Sequence, residues 1–157
     1  MPEFKIIARE KDRTFYDYEI SNDDFNAPIV LCGLCPGYTQ LKNMLDNEDL
    51  NIVEARKSAS FKGCTKNIAK MLRKIQLNKK LKINISDDYG FNSSKYFFTT
   101  SLVKYPGLRA GKGRSDDFNP LDYEFAKKCI KEIFLKEIIK GKSGVIIIFG
   151  KKAQKAV

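Results

Sequence analysis

The chain has 157 residues and a formal net charge of +10, from 29 basic and 19 acidic side chains. That length predicts a single domain over residues 1–157, with enough chain to bury a core. The charge favours polyanionic partners, nucleic acid first and an anionic membrane surface second. The sequence contains no histidine, which excludes every imidazole-based catalytic or metal site within this chain.

Targeting and redox signals are the next features of the sequence. No apolar run approaches the roughly 20 residues that cross a bilayer, and the N-terminus lacks the apolar core of a signal peptide. The sequence therefore predicts a cytoplasmic protein. Of the two polyanionic partners we expect nucleic acid and not a membrane, and we also expect a monomer without a cofactor. In that compartment the cysteines are expected to be reduced thiols rather than a disulfide framework. They are Cys32, Cys35, Cys64 and Cys129.

The first half of the chain predicts strands at residues 4–8 and 28–34. The second of these (PIVLCGL) is an uninterrupted apolar run, typical of a buried parallel strand. The polar stretch 39–60 predicts a loop with a short helix, and residues 62–75 predict a longer helix. The apolar residues of that longer helix recur at helical spacing and predict its buried face. They are Ile68, Met71, Leu72 and Ile75.

The second half continues the alternation of strands and helices. Residues 96–103 (YFFTTSLV) predict a strand, and Asn119 with Pro120 predicts the start of a helix that ends at Gly141. Residues 145–149 (VIIIF) predict a third buried strand. This order predicts a three-layer α/β/α domain with a central, mainly parallel sheet. Because an apolar strand at a sheet edge promotes aggregation, we expect the domain to continue beyond Val157.

Three segments follow the predicted strands, where ligands bind in parallel sheets. They are GLCPG (33–37), TSLVKYPG (100–107) and FGKK (149–152). In the first, Gly33 leaves space for a ligand, Pro36 fixes the backbone, and Gly37 can adopt a positive φ. Such a turn can present backbone N–H groups to a polar or anionic group.

The Cys32–Cys35 pair admits two other interpretations. A zinc site needs four convergent ligands, and Cys64 and Cys129 do not form a second close pair, so no metal is expected. A thiol oxidoreductase using Cys32 and Cys35 stays open as an alternative, although such pairs usually open a helix. The simpler expectation is that Cys32 lies in the core and Cys35 lines a tight turn.

Four segments in order, GLCPG, SFKG, TSLVKYPG and VIIIFGKKAQKAV, resemble the uracil-DNA glycosylase superfamily. The resemblance covers about residues 29–157 and is greatest to bacterial branches whose first motif reads G-x-x-P-G. It implies a DNA-repair hydrolase that flips a uracil or another damaged base and cleaves its N-glycosidic bond. Phe61 would stack on the base and Ser101 would read its edge. The implied base pocket comprises Gly33, Leu34, Cys35, Pro36, Gly37, Tyr38, Phe61 and Ser101.

The resemblance also implies which cations contact the phosphates of single- or double-stranded DNA. They are Lys104, Arg109, Lys112 and Arg114. Leu34 and Cys35 stand where the family carries an activating Asp, Asn or Glu, and Ser101 stands where members often place Asn. The catalytic residues are therefore unassigned, with Cys35 and Ser101 as the candidates. The alternative within the same fold is a catalytically impaired member that binds nucleic acid. The cysteines that hold an iron–sulfur cluster in one branch are missing, so no cluster is expected.

Overall fold

The computed structural model describes residues 5–17, 27–46, 61, 63–91, 94–109, 118–141 and 143–157. This part of the chain is mixed α/β and contains two small sheets, one antiparallel and one parallel. The prediction of an α/β protein is confirmed at that level. Within the described ranges, every helix is too short or too polar to cross a lipid bilayer.

The secondary-structure elements follow in chain order. The strands are β1 (Ile6–Glu10), β2 (Arg13–Tyr16), β3 (Ile29–Gly33), β4 (Phe97–Ser101), β5 (Gly107–Arg109) and β6 (Val145–Ile148). The helices are α1 (Tyr38–Leu45), α2 (Thr65–Lys74), α3 (Leu77–Leu81), α4 (Glu124–Cys129), α5 (Leu135–Lys140) and α6 (Lys151–Gln154). A 3₁₀ turn (Pro120–Asp122) precedes α4, and a π-helical turn (Ile130–Phe134) joins α4 to α5.

The parallel sheet has the order β4-β3-β6, with β3 at its centre. Ile29 pairs with Phe97 on one side and with Val145 on the other. The residues of β3 from Ile29 to Cys32 are buried, which explains why this strand reads as a continuous apolar run. The predicted strand at 28–34 is confirmed.

Helices pack against both faces of the parallel sheet. Because β4 and β6 lie on opposite sides of β3, right-handed crossovers place the connecting helices on opposite faces. Ile29 and Leu31 share a core with Ile68 and Leu72 of α2, and we call this side the α2 face. Val30 and Cys32 point to the other side, which we call the α5 face. The core of the α5 face includes Ala126, Cys129, Ile130 and Phe134.

Helix α2 forms where the sequence predicts it, but with a narrower buried stripe. Ile68, Ala69 and Leu72 are buried, whereas Met71 and Ile75 are 46% and 59% exposed. At 100° per residue, Ala69 and Met71 lie equally far from the line between Ile68 and Leu72, on opposite sides of it, so helical spacing alone does not decide which of the two is buried. The predicted burial of Met71 and Ile75 is wrong.

Strand β6 forms as predicted but is not a buried strand. Val145 is 52% exposed and Ile146 is 38% exposed. Among the described strands, β6 pairs with β3 alone and so lies at the edge of the sheet. An apolar run identifies a strand, but periodicity alone does not distinguish a central strand from an edge strand.

The helix predicted after Asn119 begins in two steps. The Asn119 side chain accepts a hydrogen bond from the Leu121 amide (3.3 Å), but this caps the 3₁₀ turn. Helix α4 begins at Glu124, where the amides of Glu124 and Phe125 donate to the Glu10 carboxylate at 2.8 and 3.0 Å. The bond from the Phe125 amide is the main reason why the pKa of Glu10 lies below its usual value. The antiparallel sheet thus supplies the cap of this helix.

Candidate functional site

The carboxyl ends of the three parallel strands are held in register at one edge of the sheet. Gly33 pairs with Ser101 at the ends of β3 and β4. Beyond the strands, the Leu102 amide donates to the Gly33 carbonyl (3.0 Å). On the other side, the Phe149 amide donates to the Cys32 carbonyl (2.8 Å). These bonds fix the position of each residue that follows a strand.

Three residues of the predicted base pocket come together at this edge. A Cβ atom on Gly33 would lie 3.6 Å from Phe61 Cε1 and 3.9 Å from Ser101 Oγ. Phe149 packs edge-to-face against Phe61, with ring centroids 6.0 Å apart and planes at 82°. Phe61 and Phe149 pack against the core of the α2 face. We call Gly33, Phe61, Ser101 and Phe149 the strand-end cluster.

The backbone at Phe61 has an unusual conformation. Its φ is +53°, in the left-handed region that bulky side chains rarely adopt. Its carbonyl accepts hydrogen bonds from the Cys64 amide (2.8 Å) and the Thr65 hydroxyl (3.3 Å) at the start of α2. Helix α2 therefore holds Phe61 in place. Residues in such sparsely populated conformations concentrate at functional sites.

Two other predicted pocket residues pack elsewhere. Leu34 and Cys35 pack against the core of the α5 face, opposite to Phe61. Regular alternation stops where β3 ends, so the sequence pattern does not fix the direction of either side chain. The prediction that Cys35 lines the same pocket as Phe61 is corrected on this ground.

The rest of the first motif leads into helix α1. Pro36 is buried. The Gly37 amide donates to Gln40 Oε1 (2.9 Å), and the Gly37 carbonyl accepts from the Leu41 amide (3.0 Å). Gly37 does not adopt the positive φ considered for it, and its N–H bonds within the protein rather than facing a ligand. Tyr38 packs against the pair Leu41 and Leu108.

Lys104 is not at the surface, so its predicted contact with DNA phosphates is wrong. Its side chain is 5% exposed, and its ammonium donates to the Glu137 carboxylate and the Thr100 hydroxyl. The Lys104 Nζ also lies 5.9 Å from the centroid of the Phe134 ring. Glu137 is itself only 15% exposed, so the two charges form a buried pair on the α5 face. A pair of this kind stays closed because either charge alone is costly to bury.

Arg109 is the one predicted phosphate contact that the described residues place at the surface. Its side chain is 48% exposed, and its Nε lies 3.0 Å from the Asp12 carboxylate. Arg109 belongs to β5 of the antiparallel sheet, opposite Arg13. Lys112 and Arg114 lie outside the described residues.

The thiol chemistry of Cys32 is unfavourable. Cys32 is fully buried, and burial raises its pKa from 9.0 to about 12. Such a thiol is neutral near pH 7, whereas thiol–disulfide chemistry requires a thiolate. This counts against the thiol oxidoreductase alternative. All four cysteines are free, and the described ranges contain no group of three or more Cys, Asp or Glu side chains suited to a metal ion.

The strand-end cluster has the parts needed to hold a planar ring. An aromatic side chain can stack on such a ring, the Ser101 hydroxyl can donate to or accept from its edge, and Gly33 keeps side-chain atoms out of the space between them. No protein-family model, curated protein or solved structure matches this chain. The sequence motifs and this geometry are therefore the features that point to a function.

Proposed function

We propose that this chain is a uracil-DNA glycosylase-like protein of DNA base-excision repair. It binds DNA, accommodates a flipped uracil or another damaged base at the strand-end cluster, and cleaves the N-glycosidic bond. The observation that supports the proposal is the approach of Gly33, Phe61 and Ser101 at the carboxyl edge of the parallel sheet. The helices on both faces of that sheet are compatible with the three-layer arrangement of such enzymes.

Each residue of the cluster has a distinct part in this proposal. A base that leaves the duplex loses its stacking, and the Phe61 ring replaces the lost contact. The Ser101 hydroxyl donates to a carbonyl oxygen of the base, where negative charge develops as the glycosidic bond breaks. Gly33 provides the volume between them, since any side chain there would occupy the approach to both groups.

A second candidate function follows from the positions of Leu34 and Cys35. The resemblance would place an activating carboxylate or amide at one of these two positions. Both are apolar or weakly polar, and both pack toward the α5 face, away from Phe61. This favours a catalytically impaired member that binds nucleic acid and recognises a flipped base without cutting it.

Base excision on a labelled oligonucleotide with one uracil tests the proposal. Abasic sites are cleaved in hot alkali and resolved on a denaturing gel. We expect product from the unmodified protein, and about tenfold less or lower still from Gly33→Ala, because one methyl group in a binding pocket costs 1–3 kcal/mol. Gly144→Ala is the matched control, since its added Cβ would meet only the Pro28 carbonyl at 3.9 Å.

A binding measurement distinguishes the second candidate function from the first. If no product forms, but the protein binds a uracil strand more tightly than its thymine counterpart, the impaired member is favoured. That preference should then disappear in Gly33→Ala and persist in Gly144→Ala. Absence of both product and preference would exclude a base site at this edge of the sheet.

A further inference from the structure

Helices α2 and α3 carry an unbalanced positive charge. Residues 63–86 contain seven basic side chains, no acidic side chain and no aromatic side chain. The basic residues are Lys66, Lys70, Arg73, Lys74, Lys79, Lys80 and Lys82. Six of these residues lie on two short consecutive helices and Lys82 directly follows the second helix, so the like charges repel one another. Pairs of like charges one turn apart destabilise a helix by roughly 0.2–0.5 kcal/mol.

A nearby carboxylate neutralises only part of this charge. Asp87 lies 2.6 Å from the Arg73 guanidinium and 3.9 Å from Lys66 Nζ. The remaining five lysines are exposed and form no ion pair with a described residue. We call these five the lysine surface: Lys70, Lys74, Lys79, Lys80 and Lys82.

The part of the lysine surface that belongs to α2 lies on the outer side of the α2 face. Lys70 and Lys74 are one turn apart, on the side of α2 that faces away from the buried Ile68 and Leu72. Helix α3 follows directly through Gln76, whose φ is +59°. Helix α2 itself begins next to Phe61, since the Thr65 hydroxyl donates to the Phe61 carbonyl. Its ten residues extend about 15 Å from that end.

We propose that the lysine surface binds the phosphate backbone of duplex DNA, as a second contact separate from the strand-end cluster. Lysines act on phosphates as point charges and carry no sequence information. Proteins that bind single strands combine such charges with aromatic side chains on which bases stack, and residues 63–86 have none. The proposal extends the proposed function, because a duplex engaged near Phe61 could continue along α2, but it does not require that a base be cut.

An anionic lipid surface is the competing partner. Met71 and Ile75 are exposed beside the lysines and could insert between lipids. Helices that lie on membranes, however, turn a broad apolar face to the lipid. In α2 that face is already used, because Ile68, Ala69 and Leu72 pack against the sheet. The observations therefore favour DNA phosphates.

Two charge-matched triple variants test the proposal. The first combines Lys70→Gln, Lys74→Gln and Lys80→Gln. The second, the control, neutralises three exposed lysines on the opposite side of the sheet. The control substitutions are Lys131→Gln, Lys136→Gln and Lys140→Gln. Each triple lowers the formal net charge from +10 to +7, so a general effect of charge is equal in both.

Binding to a fluorescent duplex without uracil is measured by anisotropy between about 50 and 200 mM salt. For the first triple we expect the slope of log K against log salt to become less steep by about 3, with affinity at low salt reduced on the order of 100-fold. The control triple should retain most of the slope. Thermal unfolding of both variants checks that the exposed substitutions leave the fold intact.

Three results would overturn the proposal. An equal loss in both triples would show that net charge alone attracts DNA. Unchanged binding in the first triple would show that its lysines do not contact the duplex. Loss of binding to phosphatidylserine vesicles, with duplex binding retained, would identify lipid as the partner. Because the duplex has no uracil, these results do not depend on whether the strand-end cluster excises a base.

Discussion

The two faces of the parallel sheet place their charges differently. Residues 118–141, which cover the α5 face, carry five lysines and four acidic side chains, one of which, Glu137, pairs inward with Lys104. On the outside, Lys127 lies next to Glu124 and Lys128 lies 4.0 Å from Glu132. Outside the α2 face, residues 63–86 carry seven basic side chains and no acid. The first surface mixes acidic side chains with its lysines and pairs two of these lysines within its own helices, whereas the second has no acid within its helices and forms ion pairs only with Asp87 among the described residues.

The cores of the two faces show the reverse distribution, because the polar groups are buried in the core of the α5 face. The core of the α5 face contains the Lys104–Glu137 pair and the buried thiols of Cys32 and Cys129. The core of the α2 face is built from apolar and aromatic side chains, and a Cβ atom on Gly33 would meet Phe61 and Ser101 at ordinary contact distances. The α5 face thus holds polar groups in its core. On the other side of the sheet, Phe61 and the lysines of α2 lie on the same face, and both proposals concern that face.

The largest effect is expected from separating the buried pair. Lys104→Met leaves the Glu137 carboxylate buried without its partner, which should lower the free energy of unfolding by about 3 kcal/mol or more. Denaturation in urea measures this change. The double variant Lys104→Met/Glu137→Leu should recover most of the loss, because replacing both charges removes the unpaired one. A loss below about 1 kcal/mol in the single variant would contradict the buried position of Lys104.

A smaller effect on the free energy of unfolding is expected from adding one methyl group to a glycine, either in the core of the α5 face or at the strand-end cluster. A Cβ on Gly107 would lie 2.8 Å from Phe15 Cε1, in the core of the α5 face, where Phe15 is fully buried. Gly107→Ala should therefore lower the free energy of unfolding by about 2 kcal/mol. Gly33→Ala meets its neighbours at ordinary contact distances and should change it by less than about 0.5 kcal/mol. Equal losses would show that the space at Gly33 is not open.

The parts of the fold that could be predicted depend on neighbouring residues in sequence. The apolar run of β3 and the helical spacing in α2 are local patterns, and both elements form where predicted. Strands β2 and β5 could not be predicted, because they have three or four residues each and are stabilised by distant pairing. Arg13 pairs with Arg109, and its guanidinium donates to the carbonyl of Gly107 at 2.9 Å.

The candidate site likewise has one part that could be predicted from the sequence and one part that could not. That Gly33 and Ser101 would meet follows from a general rule, since carboxyl ends of parallel strands lie at one edge. The burial of Lys104 could not be predicted, because its partner Glu137 lies 33 residues further along the chain. Among glycines and arginines, a lysine at the start of a loop reads as a surface cation until the acid that pairs with it is known.

The smallest effect is expected from the buried thiols as the pH rises. Burial raises the pKa of Cys32 and of Cys129 from 9.0 to about 12. Above pH 9 the unfolded chain therefore releases thiol protons that the folded chain retains, and stability falls until about pH 12. From pH 8 to 9.5 each thiol should lower the free energy of unfolding by about 0.8 kcal/mol.

Urea denaturation of Cys32→Ala, Cys129→Ala and the double variant at these two pH values measures that contribution. Each single variant should lose less stability than the unmodified protein over this interval, and the double variant should show the sum of the two differences. Alkylation of the folded protein gives an independent check, since Cys64 on the α2 side is exposed and should be modified before either buried thiol. If Cys32 is alkylated as fast as Cys64, the core of the α5 face is accessible to solvent, and the burial that raises the pKa of Cys32 is contradicted.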